Sequence, residues 1–321
     1  MAVELSIVIV TYNVQNYIKA CLDSVMDATK DLGIELLIVD NSSTDDTVRL
    51  IQRSYPSTKL LMNKENLGLL AANNQALTHV QGKFVLYLNA DTVLKKDAIR
   101  NALEFMKQHE QAGIVGAKLL SPDRVIQRSC SSFPSLWGYF LESTFLYLVF
   151  GKSQLRKNGI PIHYNYQQPR AVDVVAGAFF LVRRDVVNDI GGFDDSFFMY
   201  SDEDDYCYRA MKKGWLTYIV PQAEVIHFEG GSFKTTRNYM FMLQHRSKIR
   251  CYRKSHGRLA TLGVAVILFT GVVLRILLWL CMSAWTTLLQ KQRQQYVLSK
   301  LGNYLHVCGW YLRTGFKLAL I

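Results

Sequence analysis

The first third of the chain is a train of short apolar runs, each followed by an amphipathic stretch. Leu5 to Val10 carries no charge, and Tyr17 to Thr29 then places apolar residues at Ile18, Leu22, Val25 and Met26, the spacing of one helix face. The alternation repeats with Ile34 to Val39 before Asp45 to Tyr55, Lys59 to Met62 before Leu69 to Val80, and Phe84 to Leu88 before Lys96 to His109. Apolar runs bounded by polar clusters read as buried strands. Their regular alternation with helical stretches predicts an α/β fold, an open and largely parallel sheet with helices on both faces.

Each predicted strand ends on polar residues: Thr11-Tyr12-Asn13, Asp40-Asn41-Ser42, Asn63 to Gly68 and Asn89-Ala90-Asp91. Ligands of open α/β sheets bind in the crevice outside the carboxyl ends of the strands, so four such clusters predict one binding rim. Taken singly, each is also an ordinary turn or N-cap sequence, and Asp40 to Asp46 has the composition to cap the next helix. TYNVQN stands where a dinucleotide fold has GxGxxG, and GxxxxGK[ST] is absent from the chain. Phosphate at this rim therefore needs another counter-charge. Mg²⁺ or Mn²⁺, commonly held by one or two carboxylates plus phosphate, is the economical choice, and Asp91 at a strand end is suited to hold it.

Charge changes the picture only towards the carboxyl end. The formal net charge of the 321 residues is +11, yet residues 1–229 carry 23 Lys+Arg against 26 Asp+Glu, whereas residues 230–321 carry 14 and none. The basic excess flanks a long apolar run, Leu259 to Leu289, interrupted among charged residues only by Arg275. That combination suits an anionic membrane surface and not nucleic acid, since each Lys or Arg near such a surface gains about 1 kcal/mol. As one helix the run is about 46 Å long at 1.5 Å per residue, beyond a ~30 Å hydrocarbon core unless tilted. Arg275 divides it into two shorter pieces, so a hairpin, an interfacial pair and one tilted span are all open. Leu136 to Phe150, aromatic and nearly uncharged, reads either as a lipid-facing stretch or as a core helix. Six scattered cysteines form neither a CxxC pair nor a Cys/His metal spacing. MAVELSIVIVTYN has an acid at Glu4 and no basic leader, which reads as a first strand and puts the catalytic part on the cytosolic side.

Seven segments together resemble an inverting glycosyltransferase of family 2 with a GT-A fold, a Rossmann-like nucleotide-binding open sheet. They are SIVIVTYN, LLIVDNSSTDDT, NKENLGLLAANNQAL, LYLNADT, GAFFLVRRDV, GGFDDSFFMYSDEDDYCYRAMKKGW and VIHFEGGS, running from about Ser6 to about Phe233. The segment from Gly191 into the acidic cluster is the most specific, and the last one resembles the bacterial rhamnosyltransferase-like branch. The resemblance implies that Asp40 contacts the base of a sugar nucleotide and that Thr11 and Asn13 line its pocket. Asn66, Gly68 and Asn73 then border the ribose and diphosphate. Asn89-Ala90-Asp91 occupies the position of the Asp-x-Asp metal motif, so Asp91 inherits the ligand role while Asn89 departs from the pattern as a neutral oxygen donor. His227 aligns with a histidine near the metal and diphosphate, against which stands the plain reading of a hydrogen-bonded strand residue.

Inverting transfer needs a general base on the acceptor side, and the resemblance places it in Asp202-Glu203, with Glu203 preferred and Asp202 second. Mutual repulsion among Asp202, Glu203, Asp204 and Asp205 favours a raised pKa in that cluster. The same acids also suit a helix start, with Ser201 as N-cap and Asp205–Arg209 as an i,i+4 pair.

The expected organisation is a catalytic domain over residues 1–235, a basic juxtamembrane segment over 236–258 and a membrane-associated helical tail over 259–321. The expected activity is transfer of one sugar from dTDP-rhamnose or a UDP-sugar to a polyprenyl-linked cell-surface glycan at the cytoplasmic face of the cell membrane. A polyprenyl-phosphate glycosyltransferase and a processive synthase are the enzymatic alternatives, although none of the five tryptophans lies in a QxxRW motif. An inactive sugar-nucleotide or lipid-binding scaffold is the non-enzymatic one.

Overall fold

The computed structural model describes residues 3–148, 165–197, 200–228, 237–289 and 291–320. They fall into two compact units, one drawn from Met1–Ser132, Tyr164–Phe198 and Asp202–Phe233, the other from Phe133–His163, Met199–Ser201 and Lys234–Ile321.

The first unit is built on a nine-stranded sheet. Strands β1 (Leu5–Thr11), β2 (Ile34–Asp40), β3 (Lys59–Met62) and β4 (Phe84–Asn89) pair in parallel in the order β3-β2-β1-β4. Helices α1 (Ile18–Ala28), α2 (Thr47–Ser54) and α3 (Leu69–Leu77) connect them. The central strands are covered on both faces, which is why they read as continuous apolar runs. The buried stripe of α1 is Ile18, Cys21, Leu22, Val25 and Ala28, so Met26, counted in the sequence pattern, points outward at 45% exposure.

Beyond β4 the sheet is mixed. Strand β5 (Thr92–Leu94) follows β4 after a two-residue turn, and helix α4 (Ala98–Gln108) leads to β6 (Ala112–Leu120). Two short strands, β7 (Cys130–Ser131) and β9 (Val174–Val175), pair with each other, while β8 (Arg170–Val172) adds to the edge of β11 (Leu216–His227). Strand β10 (Phe179–Arg183) inserts antiparallel between β4 and β6. Strand β11 runs parallel to β6, shifts register between Val220 and Glu224, and ends antiparallel to β5 with His227 opposite Thr92. That last pairing brings the carboxyl end of β11 to the turn after β4.

The second unit has its own core, in which Tyr139, Ile249, Tyr252, Val264, Leu268, Val272, Val307 and Tyr311 are buried. Its long helix, Arg237–Leu289, is interrupted at Gly257, where φ is +78° and ψ −178°. The break therefore lies ahead of the apolar run, and the helix passes through Arg275 without dividing. The Arg275 guanidinium donates to the carbonyls of Glu142 (2.9 Å) and Ser143 (3.1 Å), at the end of helix Leu136–Ser143, and lies 4.4 Å over the Phe145 ring. Among the described residues one helix, Phe241–Trp285, is long and apolar enough to cross a membrane, and only 28% of its most apolar stretch is buried. The fold is thus a mixed α/β open sheet with a long apolar C-terminal helix that is a candidate for membrane association.

Candidate active site

The rim forms because the strand-end residues bond to one another across loops. Asp40, 2% exposed at the end of β2, accepts from Thr11 Oγ1 (2.8 Å), Ser43 Oγ (2.6 Å) and Ser43 N (2.8 Å). Asn13, at φ +53°, accepts the Thr44 amide on Oδ1 at 2.8 Å while its own N–H donates to Ser43 Oγ at 3.0 Å. The Asp40 to Asp46 cluster therefore ties the loop after β1 to the loop after β2, and it caps α2 through Asp45, whose Oδ1 accepts the first helical amide, Thr47 N, at 3.0 Å, while Asp46 makes no side-chain cap. Partial burial acts to raise the Asp45 carboxyl, but hydrogen bonds from Thr47 and Gln15 prevail and hold it below its ordinary value.

A second set of bonds continues the rim. Asn41, buried, donates to Gly68 O at 3.0 Å and accepts from Asn63 Nδ2 at 2.9 Å, and Asn66 Oδ1 accepts the Gly68 amide at 2.9 Å. Gly68 sits at φ +87°, a backbone that side chains disfavour, and it leads directly into α3, where Asn73 is 6% exposed. Asn41 connects two loops that each carry expected nucleotide contacts.

At the third corner Asp91, 5% exposed, stands in the turn between β4 and β5. Its Oδ1 lies 3.5 Å from His227 Nε2, and its carbonyl accepts the Phe228 amide at 3.0 Å. His227 Nδ1 is buried and has no hydrogen-bond partner among the described residues. Gln127 donates to the His227 carbonyl at 3.1 Å, and its buried Oε1 is likewise without a partner. A carboxylate and an imidazole this close are a donor pair that would fit one divalent cation, Mn²⁺ more readily than Mg²⁺ because of the imidazole. Asn89, half-buried at the end of β4, stands two residues before Asp91. Among the described residues no group of three His, Cys, Asp or Glu gathers at one point, so two protein ligands are the limit of that kind.

Of the acids of helix Asp202–Lys212, Glu203 connects to the same turn through the backbone of the segment before β10. Glu203 Oε1 accepts the Gly177 amide at 2.9 Å, and the next residue, Ala178, accepts the Asn89 amide at 3.1 Å. A Cβ on Gly177 would stand 2.6 Å from Glu203 Oε1, so glycine is what lets the carboxylate approach. Burial, and then the charge of Glu203, push the Asp202 carboxyl well above the usual carboxylate range. Asp205 pairs with Arg209 at 2.8 Å, as its spacing predicts. Ser201 is not in the extended conformation usual for an N-cap: Tyr200 and Ser201 are successive left-handed residues at φ +68° and +59°, local strain placed directly before the acids.

Asn41 and Gly177 lie in segments that the sequence marks, the cluster after β2 and GAFFLVRRDV, but neither is identifiable there as a site residue, because its partner stands 27 or 26 positions away. Gln127, which reaches His227 across 100 positions, lies in no local pattern that announces it.

The chain has known relatives. The chain is 29% identical over 245 residues, 71% of its length and 77% of the relative's, to the N-acetylglucosaminyl-diphospho-decaprenol L-rhamnosyltransferase of Mycobacterium tuberculosis. It is 24% identical to the O-antigen biosynthesis protein RfbC of Myxococcus xanthus over 71% of this chain and 18% of that one. The mannosyltransferase PcManGT of Pyrobaculum calidifontis, solved in complex with GDP-Man and Mn²⁺, superposes over 98% of this chain and 88% of that one with a TM-score of 0.58 at 16% identity, a likeness of fold. The sheet is that of the GT-A glycosyltransferases. Glycosyl transferase family 2 matches residues 6–191, more than half of the chain, and the chain belongs to that family.

Proposed function

We propose that this glycosyltransferase moves a single sugar, with inversion, from a nucleotide-sugar donor to a lipid-linked glycan at the cytoplasmic face of the cell membrane. The observation that carries this reading is the Glu203 carboxylate held on the Gly177 amide, one residue from the backbone that pairs with the Asn89-Ala90-Asp91 turn. A base held beside the diphosphate corner is what a single displacement at an anomeric carbon requires. In this reading Thr11, Asn13 and Asp40 seat the nucleotide, and Asn66, Gly68 and Asn73 border the ribose and diphosphate. Asp91 and His227, with Asn89 beside them, would hold Mg²⁺ or Mn²⁺, which would supply counter-charge for a nucleoside diphosphate. Glu203 accepts the proton of the acceptor hydroxyl, its carboxylate aimed by the Gly177 amide.

The mycobacterial relative supports dTDP-rhamnose as the first donor to try and a diphospho-polyprenol-linked sugar as the acceptor class. The test is a donor screen that reads nucleoside diphosphate release, with membrane extract as acceptor and Mn²⁺ or Mg²⁺ present. Glu203→Gln is expected to keep donor affinity and to lower turnover about 10²- to 10⁴-fold, the range for loss of a general base. Asp91→Ala and chelation are each expected to remove most transfer. Tight donor binding with no turnover under any condition overturns the enzymatic reading in favour of a binding scaffold, and full turnover in chelator overturns the metal role.

A further inference from the structure

The turn Gly191-Gly192-Phe193 is gripped from two sides. From α3, Asn74 makes a two-way bond to one residue: its Nδ2 donates to the Phe193 carbonyl and its Oδ1 accepts the Phe193 amide, both at 2.8 Å. From the acid-bearing helix Asp202–Lys212, the Arg209 guanidinium donates to the Ile190 carbonyl at 2.8 Å and to the Gly192 carbonyl at 2.9 Å. Its Nε is occupied by Asp205, which is 3% exposed. Tyr206 adds a hydroxyl bond to the Gly191 carbonyl at 3.2 Å, and its ring lies 4.8 Å from that of Phe193. Phe193 in turn packs edge-on against Tyr87 of β4 at 5.0 Å. The turn has no freedom to accept other side chains. Gly191 is at φ +74°, and a Cβ on Gly192 would stand 2.2 Å from Asn74 Oδ1.

We propose that Asn74 and Arg209 are positioning residues for transfer, joined through this turn into one clasp that fixes the acid helix against the donor-side helix. The proposal rests on the transferase reading above. Asn74 directly follows Asn73 and stands on the helix that Gly68 opens, so it belongs to the body that borders the diphosphate. Arg209 stands about two helical turns from Asp202 and Glu203 on the body that carries the base. A planar guanidinium bridging two backbone carbonyls and a carboxylate sets the rotation of its helix, which a lysine with one ammonium cannot reproduce. Asp205 is accordingly the acid that aims Arg209. Displacements of about 1 Å at a base cost about 10²-fold in rate, so a clasp remote from the reacting atoms has leverage on turnover.

The experiment compares Asn74→Ala, Arg209→Lys and the double variant in full-length protein. Each single variant is expected to keep the donor KM within about twofold and to lower kcat about 10²-fold, and the double is expected to be no worse than the poorer single, as for residues that act as one unit. A loss that falls on KM, that multiplies in the double variant, or that only tracks a falling Tm overturns the proposal. Hydrogen exchange provides a reading that needs no activity. Asn74→Ala, whose side-chain hydrogen bonds go to Phe193, is expected to speed exchange at the amides of 206–209, the first protected turn of the acid helix, as well as of 191–193; unchanged protection at 206–209 overturns the clasp whether or not any donor is turned over. Absence of turnover in the wild type, with the exchange result as expected, removes the transferase reading and leaves the mechanical link standing.

Discussion

At the scale of single residues the site depends on close approach. Gly177 gives Glu203 both a hydrogen-bond donor and the space to reach it, and a methyl group 2.6 Å from Oε1 must push the carboxylate away. Gly177→Ala is therefore expected to lower kcat by one to two orders of magnitude, about what a misplacement near 1 Å costs, with donor affinity unchanged. Steady-state kinetics beside a nucleotide titration checks this, and an unaltered kcat removes the positional role of the amide. Asp202 gives a prediction in pH. Its folded pKa is raised by burial and by Glu203, so its stabilising contribution is fully present below the unfolded carboxylate value of about 4 and is lost as pH rises through the raised folded value. Thermal melts across that window are expected to fall with pH in the wild type and to fall less in Asp202→Asn. Equal slopes would mean that Asp202 titrates as an exposed acid does.

At the scale of elements, what could be read in advance follows from how local the signal is. Strands β1 to β4 and helices α1 to α4 each carry their own periodicity, because a strand covered on both faces is apolar throughout and a covering helix is apolar on one stripe. The rim was legible for the same reason, since its polar clusters end those strands. The antiparallel insertion of β10 and the return of β11 to β5 were not. They depend on pairings such as Phe179 with Leu88 and His227 with Thr92, which no spacing within either strand encodes. Around Arg275 the tail's hydropathy leaves a hairpin, an interfacial pair and one tilted span open; the helix continues through Arg275, which finds its acceptors on another helix, and its interruption is at Gly257, ahead of the run, where a φ of +78° is displayed by no hydropathy pattern. Arg275→Met keeps the apolar stem and removes the guanidinium. The carbonyls of Glu142 and Ser143 then lose charge-assisted bonds, each of a kind worth about 1.5–3 kcal/mol. Hydrogen exchange in detergent is expected to show helix Leu136–Ser143 opening at its C-terminal turn in this variant, while the helix around residue 275 keeps its protection. Faster exchange around residue 275 itself would mark it as a dividing point after all.

At the scale of the whole molecule, two kinds of surface argue for a membrane. The second unit leaves Leu277, Leu280 and Trp285 exposed, the last at 66%, in a segment where no acid follows Glu229. Apolar contact is insensitive to salt, whereas attraction of Lys and Arg to anionic lipid is screened within about 8 Å at physiological ionic strength. The two contributions are therefore separable in the intact chain. Cutting near His256 is a poor way to separate them, because Ile249 and Tyr252 are buried against Val264, Leu268 and their neighbours, and the cut uncovers a core. The full-length protein is expected to sediment with membranes at low salt and at 1 M salt, a concentration at which the Debye length is about 3 Å, and to leave them only in detergent. Its initial association with vesicles is expected to quicken with the fraction of anionic lipid and to slow as salt rises, since long-range attraction governs encounter and apolar burial governs retention. Release by salt alone would assign attachment to the basic surface. A protein that stays in solution after the membranes are spun down would make Leu259 to Leu289 the face on which copies of this chain, or another protein, meet.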